Sequence, residues 1–135
     1  MGISLASQAD SPFLVVMSTI ADVPWAITPE KVEAVVQRLI MAARPRKIIP
    51  FGSYVRGQTN RDSDLDVLVV SDNSVTNPHA EAARLRWSVR DIDMPMDILV
   101  IPENEYERLR HRWDLIYYKA TQSGQLVYER SAAIK

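Results

Sequence analysis

F-G-S-Y-V-R-G-Q-T-N-R-D-S-D-L-D-V-L-V-V, residues 51–70, is the stretch whose reading decides the fold. It holds a Gly-Ser pair, Gly52-Ser53, and, after ten intervening residues, two carboxylates at alternate positions, Asp64 and Asp66. The apolar run 67–70 follows at once. Successive side chains of a strand point to opposite faces. A strand over 64–70 therefore puts Asp64 and Asp66 on one face and turns Leu65, Val67 and Val69 to the other, where they can be buried. Two carboxylates this close repel unless a cation lies between them. A hard divalent ion such as Mg²⁺ takes oxygen ligands, typically one or two protein carboxylates plus substrate phosphates. Upstream, Ile48, Ile49 and Phe51 predict a strand leading into Gly52. A glycine at a strand-to-helix turn lets backbone approach a ligand closely, and the N–H groups after it form an anion site. One segment thus offers a phosphate cradle and a metal-binding pair.

The order strand, Gly-Ser, ten residues, D-x-D, strand resembles the signature of the nucleotidyltransferase superfamily, to which DNA polymerase beta and the kanamycin nucleotidyltransferases belong. The chain is most similar to the small, single-domain minimal nucleotidyltransferases (MNT) of bacteria and archaea. Many of these are antitoxins encoded beside a helical HEPN-type toxin. The likeness runs over about residues 28–130 and includes the ending S-G-Q-L-V-Y-E-R at 123–130. It implies an α/β (α+β) nucleotidyltransferase fold, a small mixed β-sheet with helices packed mainly on one face.

Outside the motif the chain reads as one domain of 135 residues, long enough to bury roughly two-thirds of its unfolded surface. A net charge of −1 gives no general pull toward nucleic acid or membrane. The absence of cysteine excludes disulfides, thiol nucleophiles and thiolate metal sites, and fits a reducing cytoplasm. No apolar run reaches membrane-spanning length. Residues 12–17 are apolar, but residues 1–11 carry no Lys or Arg and include Asp10, so a signal-peptide start is missing. Residues 1–25 are expected to be an N-terminal arm, poorly ordered. The resemblance implies a minimal nucleotidyltransferase domain over residues 26–130, with 131–135 expected to be a tail.

Helices are predicted from Thr28-Pro29 to Pro45 and from Asn77-Pro78 to about Arg90, each opened by a capping residue and a proline. Two shorter ones fall over 102–110 and 114–123, the last stopped by Gly124. A further short helix follows Gly52. Strands are expected over 46–51, 64–70, 94–101 and 126–128. Arg84, Arg86 and Arg90, and the basic cluster Arg108, Arg110, His111 and Arg112, read as solvated helix charge. His79 and His111 lack ligand spacing. Within 94–101, Asp97 is the one charged residue of an apolar strand, costly if buried without a partner. Asp91 and Asp93 precede that strand.

In families that this sequence resembles, the Asp97 position carries the third carboxylate. The resemblance then implies two Mg²⁺ ions at Asp64, Asp66 and Asp97, as a two-metal clamp for nucleotidyl transfer. Asp97 would take the acceptor's proton. Gly52, Ser53 and Arg56 would hold the nucleoside triphosphate, with Arg56 alternatively pairing with an acidic neighbour. The implied reaction moves NMP, most simply AMP from ATP, to a hydroxyl. The acceptor would be a protein such as a cognate HEPN toxin. The apolar stretch 113–118, rich in Tyr and Trp, suits such a partner or a homo-oligomer, and equally a core. Neither G-x-x-x-x-G-K-[ST] nor G-x-G-x-x-G occurs. Contact-only antitoxin action and antibiotic modification are the alternatives.

Overall fold

A computed structural model describes residues 23–60 and 63–130. The expected arm lies almost wholly, and the tail wholly, outside the described residues. The elements are α1 (Pro29–Ala43), β1 (Lys47–Phe51), β2 (Leu65–Ser71), α2 (Pro78–Ser88), β3 (Met96–Pro102), α3 (Glu103–Leu109), α4 (Ile116–Ser123) and β4 (Tyr128–Glu129).

Helix α1 starts where its cap predicts. The Lys31 amide donates to Thr28 Oγ1 at 3.2 Å, Pro29 occupies the first turn, and Val32, Val35, Val36 and Leu39 turn inward. It ends at Arg44, whose N–H still reaches the Ile40 carbonyl and whose left-handed backbone (φ 45°) then turns the chain away before Pro45. Asn77 caps α2 in the same way, accepting from the Ala80 amide at 3.1 Å.

The sheet runs in the order β3-β2-β1-β4. β1 is antiparallel to both β2 and β4, while β2 and β3 are parallel and joined through α2, as a parallel pair requires. β2 is central and buried on both faces. Leu65, Val67 and Val69 join Ile48, Met96 and Ile98 against α1 and α2. Leu68 and Val70 join Ile49, Phe51 and Ile101 against Tyr106 of α3 and Ala120 of α4. The two longer helices therefore lie on one face, as expected, and the two shorter ones cover part of the other.

Three local readings change. After Gly52 there is a single turn rather than a helix: the Arg56 amide reaches the Gly52 carbonyl at 3.2 Å, and Gln58 then closes onto Ser53. Gly57 and the polar residues after it give no apolar face to carry a helix further. Gly124 stops α4 in an extended conformation (φ −84°), not a left-handed one. It is needed for space, because a Cβ there would collide with the Ala120 and Pro50 carbonyls and the Ile49 side chain. Asp97 is exposed, so the burial cost expected of it does not arise. β3 is an edge strand among the described residues.

The basic cluster is spent locally. Arg108 pairs with Glu105, Arg110 with Glu107 and Arg112 with Asp114. Arg84 holds Glu81 and the Ala42 carbonyl, and Arg90 lies over the Trp87 ring at 4.1 Å. Exposed pairs of this kind contribute little stability. The segment 113–118 divides: Tyr117 packs on the second core, whereas Trp113 is 81 % exposed.

Gly124→Ala should lower stability by about 1–3 kcal/mol through overpacking between α4 and β1. Urea unfolding measures this, and an unchanged midpoint would show that the α4–β1 contact is looser than described.

Candidate active site

β2 and β3 are in parallel register, with Asp66 opposite Asp97. Neighbouring strands lie about 4.8 Å apart, and residues opposite one another share a face. Asp66 and Asp97 therefore stand side by side on the face of Leu68 and Leu99. Asp64, two residues before Asp66 and just outside β2, is exposed at the mouth of the strand. On the other side of β2, Asp66 is paired in register with Phe51, the last residue of β1. That pairing delivers Gly52 directly to the Asp66 carboxylate.

The approach is close enough to dictate the residue. Gly52 has φ 87°, a left-handed backbone that side-chain-bearing residues rarely adopt, and a Cβ there would overlap Asp66 Oδ2. The turn that follows is tied by hydrogen bonds from Arg56 N to Gly52 O, Gly57 N to Tyr54 O and Gln58 N to Ser53 O, at 3.2, 3.1 and 2.9 Å. Among the described residues, the amides of Ser53, Tyr54 and Val55 find no acceptor. Three free N–H groups at the start of a helical turn are an anion site. Tyr54 packs onto the first core and anchors the turn.

The electrostatics agree with this geometry. Burial raises the Asp66 pKa above its ordinary value. Repulsion from Asp97 and then Asp64 raises it further, while Arg56 opposes the rise. Asp66 thus responds to both other carboxylates of the expected trio and to Arg56. No Lys or Arg lies within ion-pair distance of the three carboxylates among the described residues. Among the described residues, Arg56 offsets this charge only through space. Nor do these residues already crowd into a three-ligand cluster at metal-binding distance. A half-buried carboxylate, two acidic neighbours and adjacent anion-binding amides are nevertheless a donor set suited to a hard dication arriving with phosphates.

The other acidic candidates lie elsewhere. Asp91 accepts both terminal nitrogens of Arg38 at 2.8 Å, which holds its pKa down at about 2. The Asp93 carbonyl receives Lys31 Nζ at 2.7 Å. Among the described residues Arg56 forms no ion pair; its Nε donates to Gln58 Oε1 at 3.1 Å. Sequence reasoning missed Gln58, which looked like one more polar loop residue; its position two residues after Arg56 was the only signal. A cavity of about 590 Å³ opens along β3, bordered by α2, α3 and α4 through residues such as Ala82, Leu99, Leu109 and Tyr117. It includes none of the three carboxylates.

A family model described as "Nucleotidyltransferase domain" matches residues 30–127. Among solved structures, a Sulfolobus solfataricus protein described as a candidate nucleotidyltransferase superposes with a TM-score of 0.52 at 19 % identity, over 75 % of this chain and 79 % of that one. A structure described as a toxin–antitoxin with AMP-PNP gives 0.49 at 20 %, over 77 % and 75 %. At these identities the first likeness concerns fold alone, and the second supports no argument. No curated protein matches.

Two measurements probe the site without activity. Gly52→Ala should cost about 1–3 kcal/mol through its backbone conformation and displace Asp66; a crystal structure of the variant with Asp66 unmoved would refute the contact. Asp66 supplies the second. With its folded-state pKa above the ordinary 3.8, the folded chain keeps a proton that the unfolded chain gives up as pH rises through that window. Ionised Asp66 therefore costs stability above the window. In metal-free buffer, Asp66→Asn should raise the melting temperature at pH 7, with the gain vanishing below pH 3.8. A gain independent of pH would contradict the repulsion.

Proposed function

The chain belongs to the nucleotidyltransferase-domain family, and on that premise we propose that it moves a nucleoside monophosphate, AMP from ATP, onto a hydroxyl of a protein. The partner is a HEPN-type toxin in an antitoxin pair, acting in the cytoplasm. The observation that supports transfer is the register pairing of Asp66 with Asp97 beside the Gly52-Ser53 turn. The protein acceptor rests on the resemblance to the minimal nucleotidyltransferases.

Each residue has a definite task. The free amides of Ser53, Tyr54 and Val55 bind the terminal phosphates and leave the α-phosphate toward the carboxylates. Arg56 adds positive charge on the same side. Asp64, Asp66 and Asp97 are the residues that would hold Mg²⁺. Bound there, two ions would neutralise phosphate charge and acidify the acceptor hydroxyl. Asp97 is exposed, so an incoming acceptor can reach it, and it takes the hydroxyl proton. The acceptor oxygen bonds to the α-phosphorus while the bond from that phosphorus to the bridging α–β oxygen breaks. Pyrophosphate leaves with the bonding electrons. A cation held there would offset the repulsion that raises the Asp66 pKa.

The test is incubation with α-labelled ATP, Mg²⁺ and the protein encoded beside this one. Label should pass to that protein and fall by about a hundredfold or more in Asp64→Asn and Asp97→Asn. Transfer that survives Asp64→Asn would overturn the enzyme reading. Protection of cells that survives the same change would point to neutralisation by contact. Label on an antibiotic with no protein partner would point to small-molecule modification.

A further inference from the structure

The turn after Gly52 is built so that one residue, Gln58, fastens it twice. Its amide closes the loop onto the Ser53 carbonyl at 2.9 Å, and its side-chain Oε1 accepts from Arg56 Nε at 3.1 Å. The backbone bond fixes the residue that opens the phosphate cradle. The side-chain bond holds the Arg56 guanidinium.

Which nitrogen Gln58 takes matters. A guanidinium has five N–H donors in a rigid fork. Gln58 engages only the inner one. The two terminal nitrogens, which make the paired contact to a phosphate or carboxylate, have no acceptor among the described residues. Other arginines have spent theirs: Arg38 on Asp91, Arg84 on Glu81, Arg112 on Asp114. Arg56 also acts electrostatically on Asp66, so its charge lies within reach of the carboxylates.

We propose that Gln58 is a positioning residue for nucleotide: it holds Arg56 by Nε so that the free end of the fork meets the β- and γ-phosphates gathered at the Gly52-Ser53 turn. The inference rests on the nucleotidyl-transfer reading of the site. A long exposed side chain loses rotamer freedom when it grips a ligand. Gln58 restricts Arg56 beforehand and so removes part of that cost. Because the contact is to the phosphate tail, Gln58 affects triphosphate binding and leaves monophosphate binding alone.

Calorimetry on the full chain, with Mg²⁺ and either AMP-PNP or AMP, decides the matter. Gln58→Met keeps length and shape but removes the acceptor; it should weaken AMP-PNP about three- to tenfold and leave AMP unchanged. In an Arg56→Ala background, Gln58→Met should have no further effect. The inference is overturned if Gln58→Met binds AMP-PNP like the unaltered protein while Arg56→Ala does not. It is equally overturned if Gln58→Met weakens AMP as much as AMP-PNP, or adds its full effect on top of Arg56→Ala. Loss of label transfer in Asp64→Asn tests the underlying reading separately. An unaltered protein that binds no AMP-PNP, or whose transfer survives Asp64→Asn, would overturn both.

Discussion

The repulsion between Asp66 and Asp97 is the interaction on which the site depends. Parallel register between β2 and β3 sets the two side by side, and among the described residues no Lys or Arg forms an ion pair with either, Arg56 offsetting Asp66 only through space. Placing like charges opposite one another on neighbouring strands is destabilising. The chain carries this cost at one end of a sheet that is otherwise well packed. Toward the other end of the same face, Leu68, Val70 and Ile101 are buried under α3 and α4. The apolar part of the face supplies the stability that the acidic part gives up.

Gly52 transmits this constraint to the phosphate side. Antiparallel pairing of β1 with β2 sets Phe51 opposite Asp66, so the residue after Phe51 must pass against the carboxylate. Only glycine fits there, and its left-handed backbone sends the chain into a turn with three unused amides. Carboxylates that call for a cation and amides that call for an anion thus arise from one local arrangement. A nucleotide accompanied by a metal satisfies both. Arg56, whose Nε donates to Gln58, adds positive charge that acts on Asp66.

Much of this was legible in residues 51–70. Alternation in D-L-D-V-L-V-V predicts a half-exposed Asp66 among buried Leu65, Val67 and Val69, as the strand has them, while Asp64 falls just outside β2. Caps at Thr28 and Asn77, each followed by proline, gave both long helices their starts. What the sequence could not supply was register between distant strands. Asp97 was picked out as a lone charge in an apolar strand, on the argument that a buried charge needs a partner. It is exposed, and that argument does not apply to it; its neighbour across the sheet is what matters. The short helix expected after Gly52 is cut to a single turn, because Gly57 and its polar followers lack an inward face. Gln58 was invisible because a side-chain hydrogen bond two residues back leaves no pattern in sequence. Gly124 was placed correctly as a stop for a different reason, close packing rather than left-handed backbone.

The central claim is that the carboxylates and the Gly52-Ser53 turn form one metal–nucleotide site. Paramagnetic broadening by Mn²⁺ in the presence of AMP-PNP, read from backbone amide resonances, tests it most directly. The account predicts strong broadening at Gly52, Ser53, Asp64, Asp66 and Asp97 together, with little at Tyr106 or Ala120 under the helical cover. Broadening centred on α3 and α4, or on Asp66 and Asp97 without Gly52 and Ser53, would contradict it.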